Sequence, residues 1–221
     1  MGPRVEVQDS SMAWRRGDAW PPADAVKQDL FLTADGTLAG APSPTAGSFM
    51  VRPDQNVTST SGTGCTATCA TFRSEPFTQE HRFAGIPKIN LKVTPTGPGG
   101  HLSAWLYSGD TTPLTRLGWG QVDLRFAQGG ETMQPVVPGA TIPLRLEIEP
   151  LDAVILEGER LFLIIGQRTY GDHIPSVPTY PVEIEVGGTT DSRITLDTFT
   201  VDPAAFFEAD TPRPPVFQVP A

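Results

Sequence analysis

Three histidines, two cysteines and a scatter of serines and carboxylates are what this chain offers for covalent or acid–base chemistry. A serine hydrolase on an α/β scaffold needs Gly-x-Ser-x-Gly, a strained strand-to-helix turn that lifts the nucleophile. That motif is absent, and Gly47-Ser48 has neither its spacing nor its setting. A base must also be oriented by a carboxylate and touch the nucleophile. His81, in Gln79-Glu80-His81-Arg82, has charge on both sides and reads as part of an exposed strand face. His101 follows Gly97-Pro98-Gly99-Gly100 and reads as a turn exit. His173, in Tyr170-Gly171-Asp172-His173, reads as a loop residue. No catalytic residue is assigned on this pattern.

Metal and thiol chemistry are equally thin. There is no His-x-His, no His-Glu-x-x-His and no Asp-x-Asp-x-Asp-Gly calcium loop. Cys65 and Cys69 are too few for a four-ligand zinc site, and their spacing is not that of Cys-x-x-Cys. Either a short loop disulfide or two reduced thiols fits the pair. No cofactor and no metal are expected.

The four tryptophans point to surfaces instead. Trp105 shares a strand face with Ser103 and Tyr107, opposite Leu102, Ala104 and Leu106. Two large aromatics exceed what a wet face needs. They suit burial under another segment or against a partner. Trp14, Trp20 and Pro21 lie in the lead-in. The candidate interface is therefore Trp14, Trp20, Pro21, Trp105 and Tyr107. Stacking of sugar rings on such aromatics is the competing use.

The elements that must hold these residues are strands. Gly (22) and Pro (23) together make about a fifth of the 221 residues, which disfavours helices and suits short strands with tight turns. Ile89, Leu91 and Val93 alternate with Lys88, Asn90 and Lys92; Leu144, Leu146 and Ile148 alternate with Arg145, Glu147 and Glu149; Val182, Ile184 and Val186 alternate with Glu183 and Glu185. Each pattern gives one apolar and one wet face. Leu161 to Ile165 is a continuous apolar run, as in a central strand. About ten such segments call for two antiparallel sheets packed face to face. Asp35-Gly36 marks a turn with positive φ. Asp202, before Pro203, is the best helix start. Residues 40 to 66 read as a long surface loop. The expected organisation is a lead-in over 1–60 packing on the sandwich, a β-sandwich over 61–210 and a Pro-rich tail over 211–221.

A net charge of −9 disfavours nucleic-acid binding. No apolar run approaches the roughly eighteen residues of a membrane span. The first residues carry no apolar signal run, so the expected location is cytoplasmic, unless the chain was cut from a longer precursor.

Several stretches resemble a known family. They are Trp14-Arg15 with Trp20-Pro21, Leu30-Phe31-Leu32 with Asp35-Gly36-Thr37-Leu38, Phe72-Arg73-Ser74-Glu75-Pro76-Phe77, Phe83-Ala84-Gly85-Ile86-Pro87, and Gly158-Glu159-Arg160-Leu161. Their order is similar to that in the C-terminal β-sandwich of the X-prolyl dipeptidyl aminopeptidase and cocaine esterase family of serine hydrolases. Two positions depart from the family pattern. Glu159 stands where many relatives have His, and Thr94 to Gly100 replaces an Asp-rich turn. The resemblance implies an all-β, antiparallel, galactose-binding-like jelly roll that is not the catalytic part. It implies an α/β-hydrolase domain as partner, in cis or in trans, or self-association. It also implies a role in domain packing, oligomerisation or shaping a substrate entrance. A free-standing carbohydrate- or polymer-binding module is the alternative.

Overall fold

The computed structural model describes residues 5–10, 14–53, 68–111, 113–129, 131–167 and 178–200, leaving aside the side chains of Glu6, Trp14 to Arg16 and Thr200. Among them are fifteen strands, one 3-10 turn and no α-helix. In chain order the first strands are β1 (Val5–Gln8), β2 (Trp14–Gly17), β3 (Val26–Leu32), β4 (Thr37–Ala39) and β5 (Gly47–Val51). Next come β6 (Ala70–Ser74), β7 (His81–Gly85), β8 (Lys88–Pro95), β9 (His101–Gly109) and β10 (Thr115–Asp123). After the turn Leu124–Phe126 follow β11 (Ile142–Glu147), β12 (Leu151–Ile155), β13 (Arg160–Gly166), β14 (Val182–Val186) and β15 (Arg193–Thr200).

One continuous ladder runs β10-β9-β13-β6-β4-β3-β15-β8-β14-β5, with β11 on β8, and β7 carrying β12 on the side of β15. Its pairs are antiparallel except β4 with β6. The first four strands form one layer. β15, β8, β14 and β5, with β7, β12 and β11, form the other, and β4 and β3 carry the ladder between them. A single core of buried residues from both layers lies between, including Phe72, Leu102, Leu106, Leu163 and Ile165 from one and Phe83, Ile89, Val93, Ile184 and Ile194 from the other. The chain is thus the antiparallel all-β sandwich that its alternation predicts.

The hydrophobic pattern fixes register, because a slip of one residue would turn every core side chain outward. On β8, Ile89, Leu91 and Val93 are buried while Lys88 and Lys92 are exposed. β11 and β14 repeat the pattern, and Leu144 and Ile184 pair with Leu91 and Val93. Both ends of the ladder are covered, which protects edges that would otherwise pair with other chains. The Arg52 amide donates to the Thr68 carbonyl, joining the end of β5 to the start of β6. The Glu149 amide donates to the Trp119 carbonyl, joining the β11 end to β10. Gly120 permits that approach: a Cβ there would lie 1.9 Å from the Glu147 carbonyl oxygen.

Gly36 takes φ 79° in the Asp35-Gly36 turn, as its sequence requires. The expected loop over 40–66 is corrected in one part. Gly47–Val51 is β5 and pairs with β14 from Val182↔Val51 to Val186↔Gly47. Phe49 and Val51 supply its apolar side, and the flanking Gly, Pro and Ser residues hide so short a strand. Of the segment read as lead-in, β1 and β2 form a separate hairpin, whereas β3, β4 and β5 are strands of the main ladder. The helix start at Asp202, the tail and His173 lie outside the described residues.

Candidate functional site

The site is an outer sheet face with the chemistry of a core. β9 lies between β10 and β13, with Trp105 opposite Trp119 on one side and Ile164 on the other. Tyr107 faces Phe162. Directly opposed residues share a sheet face, and Leu102, Ala104 and Leu106 occupy the inner one. Trp105, Tyr107 and Ile164 therefore point away from the main core. Even so they are only 7%, 7% and 4% exposed. They form a second cluster, with Cys69, Leu114, Trp119 and Phe162 packed half-buried against it. All nine residues of β9 are buried, on both faces.

Of the interface candidates, Trp105 and Tyr107 are brought together. Trp20 is half-buried, its indole nitrogen is enclosed without a hydrogen-bond partner, and it precedes the exposed Pro21 across a cis peptide. Trp20 is not a member of the cluster. Trp14 contributes its backbone to β2, paired with Gln8, and its side chain lies outside the described set. Phe162 and Ile164 belong to the face, yet a continuous apolar run hides which residues point outward. Only the register assigns them.

Both described histidines differ from their sequence reading. His81 is half-buried, its ring 4.9 Å from that of Phe77 and 6.3 Å from that of Phe83. Burial lowers its pKa. Beside it, Arg82 makes a two-pronged bond to Asp152, Nε to Oδ1 at 2.7 Å and Nη2 to Oδ2 at 2.5 Å. His101 leaves the turn as read, as the first residue of β9, but it is 1% exposed. β10 flanks it on one side, where Asp123 pairs with it, and Ser103 lies two residues on along the same face. Serine, histidine and aspartate thus share one patch of sheet, but neither imidazole nitrogen has a hydrogen-bond partner. A triad needs the base bonded to both its neighbours.

Cys69 is disulfide-bonded, and Cys65, the only other cysteine in the sequence, lies outside the described residues. No group of three His, Cys, Asp or Glu that could hold a metal ion occurs among the described residues. Among the described residues no helix is long and apolar enough to cross a membrane. Two shallow clefts flank the aromatic face. One, of about 470 Å³, lies against the turn Leu124–Phe126 and includes Arg125, Glu131 and Ile142. The other, of about 480 Å³, lies at the seam of β10 and β11 and is lined by Trp119, Gln121, Asp123, Glu147 and Glu149.

Comparison with known proteins places this architecture. No curated protein matches the sequence. Among solved structures, a CocE/NonD family hydrolase from Staphylococcus aureus aligns with TM-score 0.72 at 17% identity over 90% of this chain and 42% of its own. An aminopeptidase from a marine sediment Thaumarchaeota archaeon gives TM-score 0.72 at 17% identity, over 90% of this chain and 41% of its own. An alpha-amino acid ester hydrolase gives 0.68 at 15% identity, over 89% and 41%. The chain thus spans about two-fifths of each relative, at identities where the likeness concerns fold alone. The model of the X-Pro dipeptidyl-peptidase C-terminal non-catalytic domain matches residues 2–197. With nearly the whole sandwich inside that match, the chain belongs to the family of X-Pro dipeptidyl-peptidase C-terminal non-catalytic domains.

Proposed function

We propose that this chain is the accessory sandwich of a serine hydrolase and that it packs on an α/β-hydrolase domain through the outer face of β6, β9, β10 and β13. The observation that carries the reading is the second apolar cluster. A sandwich needs one core, and its outer faces are ordinarily polar. Here the outer face holds Trp105, Tyr107 and Ile164, with the half-buried Trp119, Phe162 and Leu114 around them. Half-buried aromatics on a rigid strand make good anchors for a partner. The match to a C-terminal non-catalytic domain is what suggests a catalytic domain, in cis or in trans, as the partner. In this reading the chain itself contributes packing, and with it the shape of a substrate entrance. The assembled enzyme would release X-Pro dipeptides or cleave acyl esters and amides.

The test is an assay of the purified chain alone and together with the hydrolase domain encoded in frame with it or beside it. Turnover of X-Pro chromogenic amides or short acyl esters is expected only with the hydrolase domain present. Turnover by the chain alone that disappears in His81→Ala or His101→Ala would overturn the reading.

A second reading, a carbohydrate- or polymer-binding module, has one observation in its favour. The cleft at the β10–β11 seam puts Trp119 beside Gln121, Glu147 and Glu149, an aromatic platform with hydroxyl acceptors. Trp105 is too buried to stack a sugar. A saccharide or polymer titration that shifts tryptophan fluorescence in the wild type and not in Trp119→Ala would favour this reading.

A further inference from the structure

The buried imidazole of His101 has a use that packing does not explain. It is 1% exposed, and neither ring nitrogen makes a well-formed hydrogen bond, although the Gln167 backbone lies near enough to favour the charged ring. A buried polar group without a partner is costly, so natural cores hold few of them. His101 stands directly across β9–β10 from Asp123. That carboxylate is engaged with Arg125: Oδ1 accepts from the Arg125 backbone amide at 2.9 Å and from Nε at 3.0 Å, and Oδ2 from Nη2 at 2.6 Å. These bonds cap and brace the turn Leu124–Phe126.

The turn is anchored in the main core by Leu124, which is 1% exposed, and the Arg125 side is held by fewer ties. The Leu124 amide donates to the Gly100 carbonyl, next to His101; the Gln134 amide donates to the Arg125 carbonyl. Just past the turn, the Ala127 carbonyl accepts from the Arg145 amide. Arg125 and its neighbours form the wall of the 470 Å³ cleft.

Among the described residues the groups that face His101 are few. β10 contributes Asp123, and through it the turn contributes Arg125. The 178–181 segment holds Tyr180, whose ring lies against Gly97 and whose carbonyl accepts from Gln167 Nε2 at 2.6 Å. The stretch Gly97 to Gly100 carries no ionisable side chain. Burial lowers the pKa of His101, opposed by the Gln167 backbone and by Asp123. At neutral pH the ring is therefore uncharged. In acid it takes a proton from solvent and becomes a buried cation whose cross-strand carboxylate, Asp123, is already bonded to an arginine.

We propose that His101 is a proton-operated latch: its imidazolium draws the Asp123 carboxylate away from Arg125 and releases the turn that walls the neighbouring cleft. The neutral ring keeps the turn closed. The charged ring exchanges one bonded cation for another, and the freed guanidinium swings into the cleft, where it can meet an anionic ligand or partner group. This proposal is independent of whether the chain docks on a hydrolase.

The test is nuclear magnetic resonance on the whole chain from pH 7.5 to 5. It follows the His101 ring, the Asp123 carboxylate carbon, and exchange protection of the Arg125 amide corrected for its intrinsic rate. The Arg125 amide is expected to lose protection by up to about tenfold per pH unit as the pH falls toward the His101 midpoint and to level off below it, with no such loss in His101→Gln. The latch is overturned if His101 titrates while Arg125 stays protected. It is equally overturned if the loss persists in His101→Gln. Should that variant not fold, the wild type decides alone: the Arg125 midpoint must coincide with that of His101, and coincidence with Asp123 refutes the latch.

Discussion

On β8 the residues that turn away from the core are Lys88, Asn90, Lys92 and Thr94; on β9 they are His101, Ser103, Trp105 and Tyr107. Both strands are central in their layers and both follow period two. The β8 face meets Glu147 from β11 and Glu183 and Glu185 from β14, and its Lys88–Glu147 pair, at 3.6 Å, stays more than half exposed. Even where this layer buries its outer side it uses paired charge: Asp152, with a side chain 0% exposed, is bonded to Arg82. The β9 face is closed by aromatic and aliphatic carbon. Two outer faces of one sandwich thus have opposite chemistry. Solvent accounts for the first; on the second, Trp105, Tyr107 and Ile164 are closed off within the chain itself, and Trp119, Phe162 and Leu114 stay half-buried around them.

That contrast can be broken by substitution. Trp105→Ala removes a 7%-exposed side chain and should destabilise the isolated chain by about 3–5 kcal/mol in denaturant unfolding. Lys92→Ala, the same kind of position on the other face, should stay within about 0.5 kcal/mol. Equal effects would erase the distinction. Asp152→Ala should also cost about 3–5 kcal/mol, because it strands the buried Arg82. A small effect there would mean that the charged face is wetter than its packing indicates.

A pH series sharpens the comparison further. His81 and His101 both have pKa values lowered by burial. The unfolded chain therefore takes up protons below about pH 6.5 that the native chain refuses. Stability should be highest above that pH, fall as the pH drops toward the folded pKa values, and then level off with respect to these groups. His101→Asn should remove its share of the fall, as read from melting temperatures across the series. A melting temperature that rises with acid would contradict the burial of these rings. The smallest effect belongs to Lys88→Ala: loss of an exposed pair is worth roughly 0–1 kcal/mol.

How much of this was legible from sequence differed by residue. Ile89, Leu91 and Val93, and their counterparts on β11 and β14, announce their faces because charge separates them. The outer aromatics Trp105 and Tyr107 were visible for a different reason: they follow Ser103 at a spacing of two, opposite the small or aliphatic Leu102, Ala104 and Leu106. Phe162 and Ile164 were not, because Leu161 to Ile165 is apolar throughout and only pairing with β9 assigns each side. β5 was hidden by Gly47 and Ser48, and His101 by the glycines before it. A Gly-rich run signals a turn but says nothing about the strands that flank the residue after it. The ties of Asp123 to Arg125 and of Arg82 to Asp152 join residues that local patterning gave no reason to couple.

The most direct measurement is sedimentation velocity of the chain mixed with the hydrolase domain encoded in frame with it or beside it. A one-to-one complex is expected. Trp119→Glu and Phe162→Glu should weaken it by about 30-fold or more, the loss of a roughly 2 kcal/mol anchor. Lys92→Glu and Glu183→Lys on the opposite face should leave it intact. A complex indifferent to Trp119 and Phe162 but lost with Lys92 or Glu183 would contradict the assignment of the docking face.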